Sequence, residues 1–172
     1  MAHPPVVIVD KDDTVVGEAA LDEARARGLI YRVVFVVAKR PDGSVLLQKR
    51  APTMQVYPDC WDVSASGHVD DGHGYEEAAH LELEEEIGVH GAQLHEIAHF
   101  YTEEPLWGGI ASRRYAKIYE ITLVELPKHL GGDEVTRVRW FTPDEIRRLA
   151  AEHPERVAEG LHHFVERILG EA

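Results

Sequence analysis

The chain of 172 residues contains a single cysteine, Cys60, and no apolar run long enough to span a bilayer. One cysteine excludes an internal disulfide, which is typical of proteins from a reducing compartment. The first residues also lack the basic and apolar pattern of a secretory leader. We therefore expect a cytoplasmic protein without membrane contact.

Positive charge is scarce as well, because 18 Lys and Arg residues stand against 31 Asp and Glu, for a net charge of −13. A surface this acidic repels the phosphate backbone, so we predict no nucleic-acid binding. A small anionic substrate is not excluded, since a bound metal and a few local arginines can reverse the sign inside a pocket. The length predicts one domain over residues 1–172, as a monomer or homodimer.

Alternating and continuous apolar segments predict a chain of strands with few helices between them. Strands are predicted at 6–9, 15–18, 30–38, 45–50, 61–69, 95–101, 114–123 and 135–141. Helices are predicted at 74–87 and about 155–169, with a capping box at Thr142, Pro143 and Glu145 and a helical or irregular link at 21–27. Two or three helices among these strands predict an α/β (α+β) fold in which a mixed β-sheet is sandwiched between helices.

Four glutamates lie in the last two turns of the helix predicted at 74–87. At about 100° per residue, Glu82, Glu85 and Glu86 share one face, and Glu84 points the opposite way. Like charges on one face repel, and hard divalent ions such as Mg²⁺ prefer carboxylate oxygens. A solvated acidic helix is the alternative. Against it, anions near a helix C-terminus oppose the macrodipole, so this cluster favours a metal site.

The same stretch resembles the Nudix box. The matching positions are Gly67, Glu82, Leu83, Glu85, Glu86, Gly88 and Val89. Two positions depart from the box, since His73 replaces a glutamate and Leu81 replaces an arginine. The resemblance implies the Nudix fold, with Glu82, Glu85 and Glu86 holding Mg²⁺ (or Mn²⁺) against the diphosphate of a small molecule.

Further segments resemble the Nudix branch that is similar to isopentenyl-diphosphate isomerases. They include residues 9–17, 46–50, 57–58, 61–64, 67–69 and 132–135, with Trp140. An isomerase needs a cysteine where this chain has Ser66, and metal-binding histidines where it has Ala24 and Tyr31. Only His68 remains of that set, which makes isomerase activity the weaker alternative.

The resemblance also implies which groups contact substrate. Arg50 and Arg114 are predicted to bind the diphosphate, with Gly67 and His68 beside them, whereas surface ion pairs are the alternative for each arginine. The predicted catalytic residues are Glu85, Glu82 and Glu134. Glu85 is the first choice for the general base, with Glu134 and Glu103 as alternatives. Other residues considered for the cleft are Arg113, Lys117, Tyr101 and Trp107.

The leading hypothesis is a divalent-metal-dependent hydrolase that cleaves the diphosphate linkage of a nucleoside diphosphate joined to another group. The isomerase is the alternative within enzymes. Outside enzymes, the alternative is a catalytically weak Nudix domain that binds a nucleotide or a protein partner. The shared face of Glu82, Glu85 and Glu86 favours the hydrolase.

Overall fold

The structure is a computed structural model that describes residues 4–170. In this range the strands are Val6–Val9 (β1), Val15–Ala19 (β2), Ile30–Lys39 (β3), Val45–Arg50 (β4), Trp61–Asp62 (β5), Ala65–His68 (β6), His95–Thr102 (β7), Arg113–Thr122 (β8) and Val135–Phe141 (β9). The α-helices are Leu21–Arg27 (α1), Tyr75–Ile87 (α2), Pro143–Glu152 (α3) and Glu159–Phe164 (α4). Short turns of other helix types cover Trp107–Gly109, Pro154–Arg156 and Val165–Leu169. The order confirms the predicted fold class of a mixed sheet with helices.

Strand β3 organises the sheet. One of its edges pairs in parallel with β8 along the whole strand. Its other edge pairs antiparallel with β1 near Ile30, with β6 from Val33 to Val36, and with β4 at Ala38 and Lys39. Strands β7 and β9 extend the sheet from β8 and β4. Because β3 and β4 pair at only two positions, the two long strands diverge beyond them.

The apolar pattern of β3 explains the layers on either side of the sheet. Val34, Val36 and Ala38 belong to a buried cluster with the apolar face of α2. Val33, Phe35 and Val37 point the other way, into a cluster with residues of α1, α3 and α4. A strand buried on both faces reads as the continuous apolar run seen here. The sheet is therefore covered on both sides, as predicted.

Local chemistry sets the ends of the main helices. Helix α2 begins after Gly74, whose N–H donates to Glu77 Oε2 at 2.9 Å. It ends at Gly88, which has the left-handed conformation (φ 64°) that glycine adopts without a Cβ penalty. Helix α3 begins at Pro143 with the predicted capping box, in which Thr142 and Glu145 bond each other's backbone N–H. Both boundaries agree with the sequence within one residue.

The last predicted helix is wrong in its extent. The chain from 155 to 169 is broken, and α4 begins only at Glu159. Val157 is buried and forms a bridge with Trp61, and the Ala158 N–H donates to the Trp61 carbonyl at 2.8 Å. These backbone groups extend the edge of β5, so they are not available to a helix. The chain also has four α-helices in its described part, one more than the predicted maximum.

Candidate active site

A cleft of about 1290 Å³ opens where β3 and β4 diverge. One wall is formed by the C-terminal half of α2 and by the loop that carries Gly131 to Glu134. The other wall is formed by α1, the start of α4 and a loop containing Val56 and Tyr57. Strand β6 forms part of the cleft floor. The cleft therefore gathers residues from at least six separate parts of the chain.

Glu86 is buried at the base of the cleft. Its Oε2 atom accepts hydrogen bonds from the Ser66 backbone N–H and from Gln48 Nε2, both at 2.8 Å. Burial raises the pKa of Glu86 to about 8, even though these two hydrogen bonds and the charge of Arg50 oppose the rise. The Oε1 atom of Gln48 is buried and has no hydrogen-bond partner within residues 4–170. Glu86 is thus a buried carboxyl group held by two hydrogen bonds, with the charge of Arg50 nearby.

Glu82 lies one turn earlier on α2 and packs directly on Gly67. A Cβ built at Gly67 would come within 1.8 Å of Glu82 Oε1, so only glycine leaves room for the carboxyl group. Burial raises the pKa of Glu82 to about 10, and the charges of Glu86, Glu85 and Glu134 add to the rise. A positive charge beside Glu82 would therefore strongly stabilise the ionised form of this carboxyl group.

Glu85 and Glu134 complete the acidic wall at the mouth of the cleft. Glu85 is exposed and shares the α2 face with Glu82, as the sequence predicts. The loop from Gly131 packs on the end of the helix, because a Cβ at Gly131 would lie 1.8 Å from the Glu85 carbonyl oxygen. This close approach brings Glu134 near enough to raise the pKa of Glu82.

The carboxylates fit a divalent cation by their chemistry, although no ready-made cluster exists. Across residues 4–170, no group of three or more His, Cys, Asp or Glu side chains is arranged to hold a metal ion. Instead, Glu86 faces a backbone N–H and Glu82 faces Gly67. Oxygen donors and repelling charges are nevertheless what Mg²⁺ or Mn²⁺ binds and neutralises. The predicted metal ligands share one cleft, and their role as ligands stays a prediction.

The two predicted arginines also reach the cleft, but both are buried rather than at the surface. Arg50 donates to the Val56 carbonyl through Nε and Nη2, at 3.3 and 3.2 Å. Its Nη1 atom lies 3.8 Å from Asp62. Arg114 pairs with Glu159 of α4, and burial lowers the pKa of its guanidinium. The surface ion pair considered from the sequence is therefore wrong for both arginines.

Gly67 and His68 lie in β6 on the floor of the same cleft. The His68 ring contacts the Tyr31 ring, with centroids 5.7 Å apart. Asp62 lies in the resembling segment 61–64, but no role was predicted for it; it is a buried carboxyl group that accepts from the Val63 and Leu161 N–H groups at 2.9 and 3.0 Å. Burial raises the pKa of Asp62 despite these bonds and the charge of Arg50.

Several other considered residues lie outside the cleft lining of the described chain. Tyr101 bonds Glu103 and Arg113. Lys117 pairs with Glu96 at 2.7 Å. Glu103, the alternative general base, is thus held by neighbours of its own. Trp107 is 40% exposed and its ring meets the Tyr57 ring edge-on, which makes it a loop anchor beside the cleft.

The two departures from the box and the lone cysteine also lie apart from the carboxylates. His73 is exposed in the turn before α2, and Leu81 is 39% exposed on the helix. Cys60 is buried, with its sulfur 3.5 Å from the Glu155 carbonyl oxygen and outside the cleft lining of the described residues. None of the three is therefore placed to replace a site residue.

The comparisons with known proteins agree with this geometry. Residues 30–164 match the model of the NUDIX domain, which is most of the chain. The chain belongs to the Nudix family. An uncharacterized Nudix hydrolase of Pseudomonas aeruginosa is 32% identical over 136 residues, covering 79% of this chain and 77% of that protein. YfcD of Escherichia coli K12 is 32% identical over 144 residues, covering 82% and 75%. An uncharacterized Nudix hydrolase of Streptomyces coelicolor reaches 37% over 139 residues, covering 80% and 73%.

Solved structures confirm the Nudix fold. The structure of DR0079 from Deinococcus radiodurans has a TM-score of 0.77 at 24% identity, and the match covers 95% of this chain and 98% of that one. Family membership makes the protein a Nudix hydrolase that acts on pyrophosphate-containing compounds, a class that generally requires a divalent metal. No α-helix in the described chain combines the length and apolar character needed to cross a membrane.

Proposed function

We propose that this Nudix hydrolase cleaves the diphosphate linkage of a nucleoside diphosphate joined to another group, with Mg²⁺ (or Mn²⁺) as its cofactor. The main support is the position of Glu82, which is packed on Gly67 and surrounded by other carboxyl groups inside the cleft. Placing repelling carboxyl groups together costs stability unless a cation joins them. A metal-dependent reaction on an anionic substrate accounts for that cost.

The predicted site residues have proposed roles in the cleft. Glu82, Glu85 and Glu86 would hold the metal, Arg50 would orient phosphate oxygens beside Gly67 and His68, and Arg114 would bind another part of the same substrate. When bound, a divalent ion stabilises charge on phosphoryl oxygens and lowers the pKa of water. Glu85 is exposed at the cleft mouth and serves as the base that takes a proton from the attacking water; of the two alternatives, Glu134 lines the cleft and Glu103 does not.

The structure adds an argument against the isomerase alternative. Ser66 occupies the place of the required thiol, and its backbone N–H is bonded to Glu86. Cys60 does not line the described cleft. The positions of the upstream histidines are Ala24 and Tyr31, and Tyr31 Oη is bonded to Ser112 Oγ at 2.9 Å. Neither Ala24 nor Tyr31 offers a nitrogen ligand for a second metal.

The test is a screen of diphosphate compounds with Mg²⁺ and with Mn²⁺, scored by release of nucleoside monophosphate. ADP-ribose belongs in the screen because it is bound by the Nudix domain of NrtR from Shewanella oneidensis, a fold neighbour with a TM-score of 0.58 at 16% identity, matching 78% of this chain and 83% of that one. We expect Glu85→Gln to lower the rate at least 100-fold, in the range typical of a lost general base. The matched control is Glu76→Gln, an exposed glutamate in the first turn of α2 that lies outside the cleft lining of the described residues. Absence of hydrolysis across the screen, or equal rates in the two variants, would contradict the proposal.

A further inference from the structure

Arg25 is the cleft residue for which the proposed roles provide no explanation. It projects from α1 and lines the wall opposite the glutamates. Its Nε atom is buried and has no hydrogen-bond partner among residues 4–170. Helix α1 precedes residue 30, so Arg25 lies outside the part of the chain that matches the NUDIX domain. A feature at this position can distinguish this protein from other members of the family.

The charges around Arg25 are unusual for so acidic a chain. The charge of Arg25 acts on another arginine, since it adds to the lowering of the Arg114 pKa that burial causes. Glu159 is already paired with Arg114. The acidic neighbour Glu23 is paired with Arg27 at 2.6 Å. The described residues therefore leave Arg25 without an ion pair, and two guanidinium groups face one part of the cleft.

The register of the sheet separates these arginines from the glutamates. Arg114 of β8 pairs with Tyr31 of β3. Gly67 of β6, against which Glu82 packs, pairs with Val34 of β3. Three residues along a strand span about 10 Å, and β8 and β6 flank opposite edges of β3. The arginines and the glutamates are thus set apart both along β3 and across it, so we assign an anion at the arginines to a second charged group of the same ligand rather than to the diphosphate at the glutamates.

We propose that Arg25, together with Arg114, forms a subsite for a second anionic group of the substrate, a phosphate ester or a carboxylate remote from the diphosphate. Guanidinium groups suit both anions because their N–H donors match two oxygens at once. This inference rests on the proposed function, because that function places the diphosphate at the glutamates. It makes α1 a specificity element that selects substrates with an additional negative charge.

The experiment compares pairs of diphosphate compounds that differ by one distal anion. NADPH and NADH, and coenzyme A and its 3′-dephospho form, differ by a phosphate ester. UDP-glucuronate and UDP-glucose differ by a carboxylate. Dissociation constants are measured by calorimetry in EDTA, where a metal-dependent hydrolase does not turn over. The glutamates repel the member with the additional anion more strongly, so tighter binding of that member reports a favourable contact with the distal anion.

In one or more pairs, we expect the wild type to bind the member with the distal anion at least tenfold more tightly than the member without it. The pair that responds distinguishes a phosphate subsite from a carboxylate subsite. Arg25→Gln should reduce this preference to twofold or less, without changing the Kd of the member that lacks the distal anion. The matched control is Arg27→Gln, which removes an exposed arginine from the same helix and should keep the wild-type ratio. Arg25→Lys keeps the charge but loses the planar guanidinium that donates to two oxygens at once, and it should retain a smaller preference for the distal anion.

The subsite would be overturned if wild type shows no preference in any pair, binds neither member, or keeps its preference in Arg25→Gln. Melting curves confirm that each variant is folded, and Arg25→Lys serves as the second variant if Arg25→Gln is not. The two proposals fail separately. A distal-anion preference without hydrolysis refutes the proposed function alone, whereas hydrolysis without the preference refutes the subsite alone.

Discussion

Replacing Glu82 by glutamine should stabilise the metal-free protein, and the gain should grow with pH. The carboxyl group is packed on Gly67, and its pKa rises from an ordinary 4.5 to about 10. Because the folded state holds the proton more tightly than the unfolded chain, stability is complete below pH 4.5 and falls as pH rises toward 10. Glutamine keeps the shape of the side chain and cannot ionise.

The size of the effect follows from the interval between the two pKa values. Between pH 4.5 and pH 8 the unfolded chain releases this proton, whereas the folded protein keeps it. At about 1.36 kcal/mol per pKa unit, keeping the proton lowers the free energy of unfolding by at most about 5 kcal/mol at pH 8. The cleft is open to water and its side chains can rearrange, so we expect Glu82→Gln to gain about 2 kcal/mol at pH 8 and under about 1 kcal/mol at pH 5.

The assay is urea unfolding in EDTA at pH 5 and pH 8, with Glu76→Gln as the matched control, because Glu76 is exposed on α2 and lies outside the cleft lining of the described residues. Adding Mg²⁺ or Mn²⁺ should then stabilise the wild type, since ligands that bind only the folded state raise its stability, and should stabilise Glu82→Gln much less. A Glu82→Gln variant that is destabilised at pH 8, or that gains equally at both pH values, would refute the reasoning.

Three further predictions concern neighbouring residues. Gly67→Ala should lower hydrolysis at least tenfold with only a small loss of stability, because the new methyl group displaces the flexible end of Glu82 rather than backbone; rates and melting curves measure both. Arg114→Met should cost about 3 kcal/mol by leaving the half-buried Glu159 without its guanidinium partner, and urea unfolding should show a smaller cost for the double change with Glu159→Met. His163 is buried between the Phe35 and Phe100 rings, and burial lowers its pKa to about 4. Its contribution is therefore complete above pH 6.5 and is lost as pH falls toward 4, so His163→Phe should flatten the decline in stability between pH 6.5 and pH 5.

The sequence was a good guide where a local pattern decides the structure. The continuous apolar sequence of β3 predicts a strand that is buried on both faces, and the structure confirms this. The capping box at Thr142 starts α3 as expected. The glutamates of α2 share a face because helical spacing alone determines their relative positions. Gly67 was found through the resemblance, and the structure supplies the steric reason for glycine there.

The remaining features depend on contacts between distant parts of the chain. The start of α4 is delayed because Val157 and Ala158 bond the backbone at Trp61, a pairing that no local pattern encodes. Arg50 and Arg114 were predicted in the cleft, but their burial against Asp62 and Glu159 was not, because those partners come from other elements. Arg25 carried no signal at all, because only the folded sheet brings α1 to the cleft.

The most direct test of the metal site is a crystal structure with Mn²⁺, in which anomalous scattering locates the ion. The account predicts one strong peak in the cleft, bonded to carboxylate oxygens of at least two of Glu82, Glu85 and Glu86. Glu86 should then exchange its contact with the Ser66 N–H for the ion. A Mn²⁺ ion bound elsewhere, with Glu82 and Glu86 unchanged against Gly67 and Ser66, would contradict the account.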